Sequence, residues 1–332
     1  MSSRSRRLWI SLVLLASAAV LVAAWLKIRP WFAPPDASPE EVARTWTQVE
    51  ALAREHGRPG GPIEPLFEAL DHLRRANSLP PDDQDAKDAP AAVTDEDGQR
   101  ALAGLVAWAQ QQGGLGDELC IVDPAQTATS PRIFEMVQLA RLAIRTSTGA
   151  DDPTLLAALR LGAYLRTRGG LVAGAAGFAI AREAVEVATA RNIAPTTALS
   201  TYAPQRREVL SILARESVCT LRMIEGAFAH GESDPGDAWQ GRDAGWLSRW
   251  ASAWVGPERE LAMARWYFGE HVAAAARAGD DLAAVAAIYE LPDDFDALPK
   301  SLLVRALALS GGSAIRDMEA TLSAYEQWLA QR

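Results

Sequence analysis

Hydrophobic and polar positions alternate along this chain in two different ways. From Leu8 to Leu26, nineteen consecutive residues carry no charge. As a helix that run would span roughly 28 Å, close to the hydrocarbon thickness of a bilayer. Beyond it, apolar residues recur at helical spacing, and no alternating β-branched run of strand length appears, so an all-α fold is expected. Ser38 is placed as an N-cap ahead of Pro39, Glu40 and Glu41, and Val42, Trp46, Val49 and Ala53 then follow on one face. "GRPGGP" breaks that helix, and a second one carrying Ile63, Phe67, Leu70 and Leu73 should close a helical hairpin.

Further helix starts recur along the chain. Thr94 and Asp97 resemble a capping box ahead of Leu102, Leu105, Val106 and Ala109. "TSPRIF" opens a helix with Ile133, Val137 and Ile144 on one side, and Asp152 with Pro153 opens the next. A long helix from about Pro204 to His230 aligns Leu210, Leu213, Ser217, Leu221, Ile224 and Phe228, and later ones begin near Asp243, Pro257, Asp280, Pro299 and Ser313. "RGGLVAGAAGFAIARE" could be mistaken for a second membrane span. Its uncharged part, Gly169 to Ala181, would reach only about 20 Å, and Gly170, Gly174 and Gly177 form a small face suited to close packing against a neighbouring helix.

The first run is too long for the h-region of a cleavable signal, and its best cleavage point, before Trp25, lies inside it. It therefore reads as an uncleaved signal anchor, with Trp9, Trp25 and Trp31 near its ends; removal as a signal peptide is the alternative. Arg4, Arg6 and Arg7 precede it and Lys27 and Arg29 follow, which leaves the N-terminus in the cytosol. Three Lys against 30 Arg, with abundant Ala, suggest a bacterium with a GC-rich genome, in which this anchor and orientation would mean an inner-membrane location and a periplasmic body. The expected organisation is a cytosolic tail over 1–7, a transmembrane anchor over 8–26, and a linker over 27–38. A helical hairpin over 39–79, an acidic linker over 80–97 and a main helical domain over 98–332 follow.

Net charge is −9 for the whole chain, and removing the first 33 residues takes away five basic charges and leaves −14. A body this acidic repels nucleic acid and anionic head groups. Cys120 and Cys219 lie 99 positions apart in apolar surroundings; an oxidising compartment would permit a disulfide, and a pair of buried thiols fits the sequence as well.

Motifs for catalysis are not found. His56, His72, His230 and His271 include no pair at metal-ligand helical spacing, and His56 and His230 sit where a cation would meet a helix C-terminus. "GESDPG" is not a nucleophile elbow and "GGLGDE" is not a phosphate cradle, so no cofactor is expected. Glu216 lies on the edge of an apolar stripe, where partial burial could suit a general acid, although beside Arg215 it reads more simply as half of an ion pair. The densest aromatic feature is Trp239, Trp246, Trp250 and Trp254, the last three at i, i+4 and i+8. They form either a seam in the core or an exposed surface for a partner.

"HVAAAARAGDDLAAVAAIYELPDD" resembles the second half of a tetratricopeptide repeat, with a turn at Gly279 and Asp280 and a Pro at Pro292, but no second copy follows at that period. "LLAALRLGAYLRTRGGLVAGAAGFAIAREAV" is similar to a broad group of bacterial membrane-anchored helical proteins without assigned activity. Both resemblances imply stacked helical hairpins in a tetratricopeptide-like array and carry over no functional residue. The function expected is a membrane-anchored extracytoplasmic scaffold that binds a partner protein in an envelope assembly. An envelope enzyme acting through carboxylates, or a structural spacer, is the alternative.

Overall fold

The computed structural model describes residues 37–55, 64–76, 96–111, 132–229, 256–290 and 311–331, together with Pro35, Pro292 and Val304. The described residues form eleven helices and no strand. They are α1 (Pro39–Arg54), α2 (Glu64–Ala76), α3 (Glu96–Gln110), α4 (Arg132–Thr146), α5 (Pro153–Arg168), α6 (Leu171–Ala190), α7 (Thr197–Thr201), α8 (Arg206–Ala229), α9 (Pro257–Ala278), α10 (Leu282–Ile288) and α11 (Gly312–Leu329). No described helix is long and apolar enough to cross a membrane, and the expected anchor over 8–26 lies outside the described residues.

Helix starts are set by local chemistry. Ser38 and Glu41 form a reciprocal capping box: the Ser38 amide donates to Glu41 Oε2 at 2.8 Å and the Glu41 amide to Ser38 Oγ at 3.2 Å. At α5, Asp152 Oδ1 accepts from the Thr154 amide and hydroxyl, and Asp152 Oδ2 from the Thr148 amide and hydroxyl. Burial alone would raise this carboxyl; the hydrogen bonds from Thr154 and Thr148 outweigh it and hold Asp152 below its ordinary value of 3.8. Asp281 caps α10 through the Ala284 amide at 3.0 Å, directly after a turn in which Gly279 takes φ +63°. Thr94, expected to cap α3, lies outside the described residues, and Asp97 instead meets His72 Nδ1 at 2.8 Å.

The chain forms two compact units. The first takes residues 1–46, 220–270 and 291–309. Its described core is Leu221, Met263, Ala264, Phe268 and Val304, with Trp46, Leu261, Trp266 and Tyr267 partly buried against it. The Tyr267 and Phe268 rings meet edge to face at 5.5 Å, and burial raises the Tyr267 hydroxyl above its usual range.

The second unit takes residues 47–219, 271–290 and 310–332. In it α2 packs on α3, α3 and α4 on α5, α5 on α6, and α6 on α11. The turn of two residues between α5 and α6 makes them antiparallel neighbours, and Gly162 lies against Gly177 and Ile180. α3 presents Ala101, Leu105 and Trp108 to the core, while Leu102, Val106 and Ala109 are only partly buried. The expected apolar face is thus rotated by about one residue, because Trp108 packs edge to face on Tyr164 at 5.4 Å.

Small residues make the α5–α6 approach possible. A Cβ at Gly177 would lie 2.4 Å from the Gly162 carbonyl oxygen and 2.7 Å from Arg166 Cγ, whereas one at Gly149 would meet nothing within 4 Å. Gly177→Ala should therefore cost about 1–3 kcal/mol in urea unfolding, and Gly149→Ala should stay within about 0.5 kcal/mol of the parent. Equal effects at the two sites would refute the close approach. At the α5 cap, Asp152→Ala should cost about 0.5–2 kcal/mol at neutral pH. The folded pKa is depressed, so the stabilisation is complete above the unfolded value and is lost as pH falls through the folded one. Parent and variant stabilities should therefore converge in acid and remain apart at pH 7.

Candidate functional site

The strongest concentration of chemistry lies in the second unit, where α5 ends, α6 begins and α8 passes. Arg166 is 0% exposed, Arg215 1% and Glu208 2%. Three charges this deep are costly unless every donor and acceptor is occupied. Arg166 Nε donates to Glu208 Oε2 at 2.8 Å, Nη2 to the Tyr202 carbonyl at 2.8 Å and Nη1 to the Gly177 carbonyl at 3.3 Å. The guanidinium also lies over the Phe178 ring, 5.5 Å from its centroid. Glu208 in turn accepts from the Gln205 amide at 3.2 Å, one turn ahead on the approach to α8.

Arg215 is two turns further along α8. Its Nε donates to the Gly169 carbonyl at 3.1 Å, its Nη1 to the Ala53 carbonyl at 3.3 Å and Ser211 Oγ at 2.9 Å, and its Nη2 to the Arg166 carbonyl. Ser211 Oγ passes its own hydrogen to the Leu52 carbonyl at 2.9 Å. The carbonyls that Arg215 reaches belong to the last turns of α1 and α5 and to the residue that ends α5, where the helix dipole favours a cation. Burial pushes Arg215 down to about 10; Glu208 pulls it up and Arg168 pushes it further down. The side chain therefore stays charged at neutral pH.

Glu216 serves the start of a neighbouring helix. Its Oε2 accepts from the Leu171 amide at 2.7 Å, at the first residue of α6, where negative charge suits the dipole. Arg215 donates to carbonyls and a hydroxyl while Glu216 accepts from a backbone amide, so the neighbouring Arg–Glu dipeptide serves different helix ends. A Cβ at Gly170 would lie 1.9 Å from Glu216 Oε2, so a side chain there would displace the capping carboxylate. A carboxylate held in this way caps the first turn of α6.

Other expected site residues fall apart spatially or lie out of view. Trp239, Trp246, Trp250, Trp254, Cys120, His56 and His230 are outside the described residues. His72 pairs with Asp97, whose carboxyl its hydrogen bond holds below the usual range, and His271 stacks edge to face on Tyr289 at 5.9 Å. Cys219 lies half-buried on α8 and is disulfide-bonded. Among the described residues no group of three or more His, Cys, Asp or Glu side chains is arranged to hold a metal ion. No protein-family profile, curated protein or solved structure matches the chain.

Sequence reasoning did not single out Arg166, and it took Arg215 only as a neighbour of Glu216. A signal was present for Arg166, which stands on the same face as Leu155, Leu159, Gly162 and Ala163 and interrupts a stripe that is otherwise apolar or small; Arg215 shares its face with Glu208 and Ser211 as well as with Ile212 and Val218, so the sequence marks it less clearly. Replacing Arg166 by Met should leave Glu208 buried and unpaired and cost about 3–5 kcal/mol. The double variant Arg166→Met, Glu208→Gln should recover a substantial part of that loss in denaturant unfolding. Strictly additive losses would show that the pair is not coupled.

Proposed function

We propose that this chain is a bitopic membrane protein whose extracytoplasmic body is a stack of helical hairpins serving as a binding scaffold. In this reading residues 8–26 form the anchor, the N-terminus lies in the cytoplasm, and the body stands in the periplasm of a bacterial envelope. The observation that carries it is the sequential packing of the second unit, α2 on α3, α4 on α5 and α5 on α6, with its deepest charges committed to helix ends. Stacks of this kind, tetratricopeptide-like in plan, bury each hairpin on its neighbour and present extended outer surfaces to partners. The acidic body does not suit nucleic acid, so the partner class is protein.

The surface we assign to that partner is the aromatic set Trp239, Trp246, Trp250 and Trp254, since Trp dominates binding hot spots. The full chain, tagged after Arg332 and recovered in detergent from crosslinked native cells, should retain peptides from Leu8 to Arg29 and bring down an envelope protein in near-stoichiometric amount. Trp250→Ala should abolish that recovery while leaving the thermal midpoint of the purified protein unchanged. A bait that begins at Trp25 or later would dismiss the anchor. A lone bait would dismiss the scaffold, and a large loss of thermal stability in Trp250→Ala would place the tryptophans in the core.

A further inference from the structure

We infer that Cys219 is stapled to Cys120 within one chain, and that this cystine braces the buried arginine cluster of the second unit. Cys219 is disulfide-bonded, and no cysteine of the described residues is free. The chain holds only two cysteines, so within a single molecule Cys120 is the remaining sulfur. Cys219 stands at the end of the longest stretch of the second unit.

Position gives the bond its consequence. Cys219 stands one helical turn beyond Arg215 on α8, and three residues beyond Glu216, the cap of α6. A bridge between positions 120 and 219 closes a loop that contains α4, α5, α6 and α7 and the part of α8 that carries Glu208, Arg215 and Glu216. Every strand of the buried network except the end of α1 lies inside that loop. A cross-link of this length acts chiefly by restricting the unfolded chain, and more strongly for longer loops.

Forming the bond removes two electrons and two protons from the paired thiols. The oxidant is a protein disulfide of the thiol-oxidase class: one Cys thiolate attacks it, giving a mixed disulfide, and the second thiolate then displaces the donor as a dithiol. Supply of that oxidant rests on the extracytoplasmic placement proposed above. The pairing itself rests on the bonded state of Cys219 and on the cysteine count.

Full-length protein should be alkylated with iodoacetamide in intact cells, purified in detergent without reductant, digested and analysed by mass spectrometry. A linked peptide containing Cys120 and Cys219, lighter by two hydrogens than its two thiol peptides together, is expected, and neither cysteine should carry the alkyl label. Reduction should lower the thermal midpoint by roughly 5–10 °C. Cys120→Ser and Cys219→Ser should each show that lower midpoint and no further response to reductant.

A second arm separates the two readings. Reduced, purified chain is placed in a glutathione redox buffer at low protein concentration. If it forms the same linked peptide while protein from cells carries two labelled thiols, the pairing stands and the extracytoplasmic placement falls. Failure to form the bridge in vitro, or a Cys219–Cys219 dimer seen on non-reducing electrophoresis, overturns the intramolecular staple.

Discussion

A guanidinium out of reach of water must place five N–H groups, and the interior of a helical unit offers few acceptors. Helix backbones have already spent their carbonyls, except in the last turn. The second unit meets this constraint by bringing helix ends to its buried arginines. Arg215 reaches the final carbonyls of α1 and α5, and Arg166 reaches the Tyr202 carbonyl that follows α7 together with the carboxylate of Glu208. Less buried arginines repeat the arrangement. Arg160 donates to the Gln111 carbonyl beyond α3 at 2.9 Å, and Arg191 to the Arg145 carbonyl in the last turn of α4 at 2.8 Å. Each such contact satisfies orphaned acceptors and sets a cation against the negative end of a dipole.

The long arginine stem needs a channel, and that need explains the glycines. The carbonyl of Gly177 accepts from Arg166, and a Cβ at Gly177 would intrude on the Arg166 stem and on the Gly162 carbonyl. At Gly174 a Cβ would come within 2.7 Å of Ile212, and at Gly170 it would strike the Glu216 carboxylate. The small face of α6 thus accommodates three different neighbours: a helix backbone, a core side chain and a capping acid. Lysine could not replace either arginine on these terms, because a single ammonium presents its donors from one point and cannot span carbonyls on separate helices.

What could be read from sequence follows the range of the interactions concerned. Caps are local, so Ser38 with Glu41 and Asp152 with Pro153 were visible as helix starts, and the breadth of the small face from Gly170 to Gly177 pointed to close helix packing. The choice of buried face on α3 was not local: Trp108 rotated it toward Tyr164, a residue on another helix. Glu216 was noticed for its position beside a stripe, but its partner is an amide 45 residues away, and nothing in "ARES" points to Leu171. The same holds for Arg215, whose acceptor at Ala53 lies 162 residues off.

Those distant contacts also answer a difficulty that Ala- and Gly-rich helices create for themselves. Faces built from Ala157, Ala158, Ala173, Ala181 and Ala184 are nearly interchangeable from one turn to the next, so apolar burial alone discriminates poorly between registers. A slide of α8 by one turn would move its side chains about 5.4 Å. Arg215 would then lose the carbonyls of Ala53, Arg166 and Gly169 together, Glu208 would leave Arg166, and Glu216 would leave the α6 amide. At about 1–3 kcal/mol for each buried polar group left unsatisfied, and more for charged ones, the penalty exceeds anything the shifted methyl groups could restore. The charged groups therefore select the register, and the small residues allow the helices to come close enough for the charged groups to reach.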